Sequence, residues 1–198
     1  MLGPVTTRRP PRGLTLIELL VAVAIAAVLL LMVAPGFQDY ILMQRLRSTQ
    51  AQLVTDLQFA RSEAVARNRY VRLSFRVPTS GSTCYTIYTA DTNTPRCNCL
   101  LGAGSACTGT AQEIRTVALP PSGGVRLSIP PGQDSAFAFD HVTGGIVSIP
   151  INLIWPDPTP FEILTSIDTA RTIRTTVGMS GRPTACAPAS LSVGVPAC

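Results

Sequence analysis

The sequence predicts an α+β chain in which one long N-terminal helix carries an all-β head. Three observations point there. An apolar run from Leu14 to Ala34 opens the chain, and it is long enough to cross a bilayer as a helix. Beyond it, apolar residues recur at helical spacing as far as Ala64, which marks an amphipathic continuation. After Tyr70 the pattern changes to short β-branched and aromatic runs separated by Gly, Pro, Ser, Asn and Asp, with no second helical period.

The 198 residues suffice for one ordinary domain and an appendage. Sixteen basic residues, all arginine, against eleven acids give a formal charge of +5. Three of them, Arg8, Arg9 and Arg12, precede the apolar run, and without them the balance falls to +2. Global charge therefore singles out no class of partner. The C-terminal end differs, because acids cease after Asp168 while Arg171, Arg174 and Arg182 remain.

The first element is longer than the apolar core of a secretory signal, about 7–15 residues, and reads as a membrane anchor. Arg8, Arg9 and Arg12 would hold its N-terminus in the cytoplasm. Glu18 does not fit a plain anchor. A carboxylate within a membrane helix costs on the order of 2–4 kcal/mol and implies a partner. Cleavage after Gly13 would expose an α-amine on Leu14, four residues before Glu18 and on the same helix face. That amine, or the amine of a neighbouring copy, is the expected counter-charge.

Pro35 marks an expected bend. Past it, Leu46, Leu53, Leu57, Ala60 and Ala64 form one apolar stripe, a packing surface for the domain that follows. Arg45, Gln52, Asp56, Glu63 and Arg67 are assigned to the polar side. The helix is expected to run from about Leu14 to Asn68.

The strand candidates follow in order: YVRLSFRV, CYTIYTA, IRTVAL, VRLSI, AFAFD, GIVSI, FEILTS and RTIRTTVGM. FDHVTGGIVS reads as a hairpin turning near Thr143 to Gly145. PINLIWPDPTPF reads as an irregular loop anchored by Trp155.

Six cysteines, Cys84, Cys97, Cys99, Cys107, Cys186 and Cys198, all follow the apolar run. An even number on the far side of a membrane segment implies disulfides in an oxidising compartment. The C-x-C core is not the spacing that zinc sites favour. Cys97 and Cys99 are too close to bridge each other. Within the first four, Cys84 is therefore expected to take one of that pair and Cys107 the other, while Cys186 and Cys198 close the tail. His141, the only histidine, falls in the hairpin turn and is expected to be solvated. No phosphate-binding loop, zinc-protease helix or nucleophile elbow occurs. Neither an enzyme nor a cofactor is expected.

The stretch RGLTLIELLV, with Arg12, Gly13, Thr15, Leu16 and Glu18, and with Pro35 further on, resembles the type IV pilin and pseudopilin superfamily. Leu14 stands where that superfamily usually has Phe. The stretch QLVTDLQFARSEAVARNRYVRLSF is similar to the GspH/FimT branch, in which a helix ending A-R-S-E-A, here Ala60 to Ala64, leads into the first strand. The hairpin FDHVTGG and the pair Gly181–Arg182 extend the likeness.

The resemblance implies a leader, residues 1–13, removed by a prepilin peptidase that cuts after Gly13 and N-methylates Leu14. It implies an inner-membrane anchor that becomes filament core, residues 14–35, and a second helical half, residues 36–69. The remainder, 70–198, would be a small antiparallel β-sandwich-like head in the periplasm, with the long helix packed on it. Glu18 would dock on a neighbour's N-terminus during assembly.

The function so implied is that of a minor pilin of a type IV pilus, priming or capping assembly through other minor pilins and the major pilin. The disulfide-rich loop and tail favour that branch. One alternative is a pseudopilin of the GspH kind in type II secretion. Another is a DNA-binding minor pilin for natural transformation. In that last class a C-terminal G-R-x-R motif contacts DNA, and here Thr184 replaces the second arginine. Arg171, Arg174 and Arg182 would supply roughly three phosphate contacts, a log–log salt slope near −3, and only weak binding.

Overall fold

The computed structural model describes Gly13, residues 15–90, 97–148, 159–189, Leu191 and residues 194–198, with residues 31–36 described by their backbone alone. Leu14, the leader arginines and the segment 149–158 with Trp155 lie outside the described residues. The chain divides into two compact units, residues 1–41 and 42–198.

In the first unit, helix α1 (Leu16–Arg67) starts two residues later than its apolar run. Thr15 explains the start. Its side-chain oxygen accepts from the Glu18 amide at 3.3 Å, and its carbonyl accepts from the Leu19 amide at 3.2 Å. Thr15 and Glu18 thus stand at the two positions of a capping box. A carboxylate in this first turn is also favoured by the positive end of the helix. Every side chain from Leu16 to Leu30 is exposed in the isolated chain. No helix among the described residues is long and apolar enough to cross a membrane. The helical backbone continues through Pro35.

Among its described residues, the second unit contains the rest of α1 and nine strands: β1 (Val71–Arg76), β2 (Thr83–Thr89), β3 (Gln112–Leu119), β4 (Arg126–Ser128), β5 (Ala136–Phe139), β6 (Ile146–Ser148), β7 (Phe161–Ser166), β8 (Thr172–Val177) and β9 (Pro183–Cys186). All eight expected strands form. The ninth, β9, has no alternating apolar signal; a tight turn returns the chain along β8, where Thr184 pairs with Thr176 and Cys186 with Arg174. One antiparallel sheet has the order β3-β2-β1-β5-β6, the other β4-β7-β8-β9. The long helix therefore packs on antiparallel sheets.

The helix stripe reads correctly from the sequence: Leu46, Leu53, Leu57, Ala60 and Ala64 are fully buried. Leu53, Leu57, Ala60 and Ala64 join one core with Leu73, Phe75 and Ile87 of the first sheet and Phe161, Ile163 and Val177 of the second. Phe161 ties the sheets together, with ring centroids 4.5 Å from Phe137 and 5.6 Å from Phe75. Sheet β4-β7-β8-β9 is covered on one face, so β7 alternates between buried and partly exposed residues. Strands β1 and β2 are buried on nearly every residue instead. Their second face lies under the cysteine loop, where the Ser74 hydroxyl donates to the Cys97 carbonyl at 2.9 Å.

Three disulfides hold the loops: Cys84–Cys99, Cys97–Cys107 and Cys186–Cys198. The Glu113 carboxylate of β3 fastens the first loop by accepting from the Gly104 and Ala106 amides. Desolvation opposes ionisation of Glu113. The Thr116 hydroxyl and those two amides outweigh it and hold the carboxyl below its ordinary range. The third disulfide, Cys186–Cys198, closes the tail over a small cluster of Leu46, Val125, Ile173 and Ala187.

Asp56 corrects the sequence reading. Assigned to the polar side, it is only 1% exposed. It lies three residues after Leu53 and four before Ala60, within the apolar stripe. Its Oδ2 accepts from the Tyr85 hydroxyl at 2.6 Å. Arg115 Nη1 stands 2.9 Å from Oδ1, close enough for an ion pair though not aligned as a hydrogen bond. Burial, then the bond to Asp56, pushes the Tyr85 phenol far above its ordinary range, so it remains a donor. Asp56→Ala removes the acceptor for a buried hydroxyl and the partner of Arg115. It should cost roughly 2–3 kcal/mol, read as a lowered denaturant midpoint, with a smaller loss for Asp56→Asn. An unchanged midpoint in Asp56→Ala would show that these contacts carry no stability.

Candidate functional site

Ala60 and Ala64 are small, and their burial leaves Arg61 beside two loop ends. The first is the β5–β6 hairpin, residues 140–145. Its Asp140 amide donates to the Gly145 carbonyl at 2.8 Å, and the Gly144 amide to the Asp140 carbonyl at 2.9 Å. The second is the β8–β9 turn, closed by Gly178 N–H donating to the Arg182 carbonyl at 3.1 Å. Arg61 Nε–H donates to the Gly144 carbonyl at 3.0 Å. The Ile146 amide donates to the Met179 carbonyl at 3.1 Å, joining the two turns.

Glycine is required at this junction by space as well as by backbone angle. A Cβ on Gly181, whose φ is +75°, would lie 2.0 Å from the Gly144 carbonyl oxygen. One on Gly145 would lie 2.7 Å from the Met179 carbonyl oxygen. Three short motifs far apart in sequence, the Ala60–Ala64 stretch, the FDHVTGG hairpin and Gly181–Arg182, therefore meet at one point. Their separate recognition in the sequence gave no hint of this contact.

The Asp140 carboxylate fixes the hairpin turn. Its Oδ2 accepts from the Thr143 amide and hydroxyl, both at 2.8 Å, and from the Val142 amide at 3.2 Å. Partial burial works against ionisation. The Thr143 groups, the His141 ring and the Val142 amide more than offset it, holding the carboxyl below its usual range. His141 differs from the solvated residue expected. Its side chain is 25% exposed, with Nδ1 3.6 Å from Asp140 Oδ1 and its ring set edge-on to Tyr70 at 5.0 Å.

Beside the junction lies a groove with a volume of about 890 Å³. Helix α1 forms one wall through Ser62 and Val65, and the two turns form the other through Val142, Arg182 and Thr184. Among the described residues no histidine, cysteine or acid lines the groove, so these residues supply no nucleophile–base pair and no metal-ligand set there. It is suited to binding.

The three arginines singled out in the sequence do not converge. The Arg171 guanidinium holds Asp168 through Nε and Nη2, both 2.7 Å from Oδ2. Arg174 Nη1 lies 3.8 Å from Glu162 Oε1 on the outer face of β8. Arg182 is exposed and lines the groove. Arg171 and Arg182 flank opposite ends of β8, about 20 Å apart at the rise of a strand. Glu18 occupies the cap described above, and Gly13 is exposed.

Comparison with known proteins places these features. A family described as type II transport protein GspH matches residues 49–181, about two thirds of the chain. The prokaryotic N-terminal methylation motif matches residues 8–34. No curated protein and no solved structure matches the chain.

Gly181→Ala should lower stability by roughly 3 kcal/mol or more, because carbonyl backbone stands in the way. Gly132→Ala has a similar φ of +84° with nothing within 4 Å, and should cost only about 1–2 kcal/mol. Equal losses in thermal or denaturant melts would show that the two turns do not interlock. The bonds to Asp140 should make stability depend on acid. A carboxyl held below its ordinary 3.8 gives its full contribution above that pH and loses it as pH falls through the lower folded value. Asp140→Asn should therefore flatten the acid limb of a stability–pH profile, and a profile identical to wild type would remove Asp140 from it.

Proposed function

Since the chain belongs to the GspH family and carries the N-terminal methylation motif ahead of the family region, we propose that it serves as a minor pseudopilin of a type II secretion system. At the level of the family it is a minor pilin or pseudopilin, a structural protein and not an enzyme. The family implies processing by a prepilin peptidase and assembly with other pilins. The motif implies anchoring at the inner membrane before assembly. The match to a type II transport family supports secretion over the pilus reading, to which the disulfide loop and tail had pointed.

In this reading the peptidase cuts after Gly13, and Leu14 becomes the methylated N-terminus. Helix α1 first anchors the subunit and then joins the filament core, while the head selects its place among other subunits. Glu18 faces the new amine of Leu14 or of a neighbour. The observation that carries this role is the position of Glu18 in the first turn of an exposed apolar helix capped by Thr15. The same position gives it a local task, because a carboxylate at this point also supports the helix start.

Two substitutions separate these tasks. Glu18→Gln keeps a side chain that suits the capping box but loses the charge; Glu18→Ala loses both. If the charge docks the subunit, both variants should be cut after Gly13, as seen by mass and N-terminal sequence, yet co-assemble poorly with the other pilin-like subunits. Normal assembly of Glu18→Gln would assign Glu18 to the cap alone. Accumulation of uncut precursor would assign it to peptidase recognition. A chain that is neither cut after Gly13 nor co-assembled would overturn the subunit reading itself. Deleting the chain should abolish secretion of folded substrates; loss of surface pili with intact secretion would favour the type IV pilus instead.

A further inference from the structure

We infer that the groove between Arg61 and Arg182 receives an acidic segment of a neighbouring pilin-like subunit, docked by charge and flanked by aliphatic contacts. The inference rests on the subunit reading above and adds to it a surface and the chemistry of its partner.

Charge is the first argument. Arg67, Arg115, Arg171 and Arg174 are each matched to a carboxylate of this chain. Among the described residues, Arg61 and Arg182 have no carboxylate within ion-pair reach, which is also true of Arg45, Arg76 and Arg126, but only Arg61 and Arg182 border the groove. Arg61 spends its Nε–H on the Gly144 carbonyl, which fixes the plane of the guanidinium and leaves its terminal amino groups for another acceptor. Among the described residues no acid lines the groove, and none follows Asp168 in the sequence. Two cations in an acid-free cleft favour a carboxylate-bearing occupant.

The rim decides which kind of occupant. Val142, at 78%, is the most exposed large apolar side chain among the described residues, and Val65 across the groove is 55% exposed. Ser62 and Thr184 also line the groove. Arginine beside exposed aliphatic surface is the composition of a protein–protein contact. Single-stranded nucleic acid is held by a track of cations and by aromatic side chains on which bases stack, and among the described residues no aromatic side chain lines this groove. The space, about 890 Å³, admits several side chains of a peptide segment and is far larger than one small anion needs.

The test uses the full chain in detergent with a photo-crosslinking p-benzoylphenylalanine in place of Val65. It is mixed with each of the other pilin-like subunits of the same assembly, purified singly. One subunit should form an adduct, whose yield falls at least about tenfold in Arg182→Glu, a loss of about 1.4 kcal/mol or more. Added salt should weaken it. Replacing the partner's crosslinked acid by arginine should restore the adduct to Arg182→Glu. An adduct unaffected by Arg182→Glu overturns the inference. So does displacement of the subunit by a 20-base-pair DNA duplex, which would make the groove a nucleic-acid site. A chain that is cut after Gly13 and co-purifies with its subunits, yet forms no adduct from Val65, refutes the groove alone. One that is neither cut nor co-purified refutes the subunit reading, and this inference with it.

Discussion

The head depends on one seam, the stripe of α1 formed by Leu53, Leu57, Ala60 and Ala64. The two leucines fill the space between the helix and the inner faces of both sheets, so neither sheet presents its apolar face to water. The two alanines do something different. Their small side chains let the hairpin and the β8–β9 turn come close, and they set Arg61 where it meets the Gly144 carbonyl. Interior packing at this density has no room for an extra methyl, which is why Gly144, Gly145 and Gly181 stand where they do.

The groove proposed as a docking surface lies at the margin of that same seam. Arg61 is held on one side by the core's own backbone, and its remaining donors border the groove. This is a rigid arrangement for a cation, and it differs from a solvated arginine because less side-chain freedom is lost when a partner arrives. The acid-free C-terminal stretch matters for the same reason. With no acidic side chain after Asp168 in the sequence, the tail brings no Asp or Glu to neutralise Arg182.

Under the proposed function the two ends of the molecule would solve recognition differently. In the docking role proposed for Glu18, a single carboxylate in an apolar helix would meet its counter-charge where Coulomb attraction is little screened and one charge can decide register. On the head, charge is exposed to solvent and must be supported by aliphatic contact and shape. The three disulfides belong to this second problem. They fasten the loop over β1 and β2 and the tail over Ile173, which lets a small head keep irregular surface without a larger core.

The sequence by itself determined the elements and the family. The apolar run, the helical stripe, eight of the nine strands among the described residues and the motif around Gly13 and Glu18 are all local patterns, set by period and by the residue types that period demands. The ambiguity left among the first four cysteines is a matter of geometry, and the structure joins Cys84 to Cys99 and Cys97 to Cys107. Asp56 could have been found, since its spacing from Leu53 and Ala60 places it on the buried stripe; charge alone made it look exposed. Strand β9 and the groove could not. The pairing of Pro183–Cys186 with β8, and the meeting of Arg61, Gly144 and Gly181, join residues up to 120 positions apart. No local period encodes such a contact; only the closing of two sheets over one helix brings those groups together.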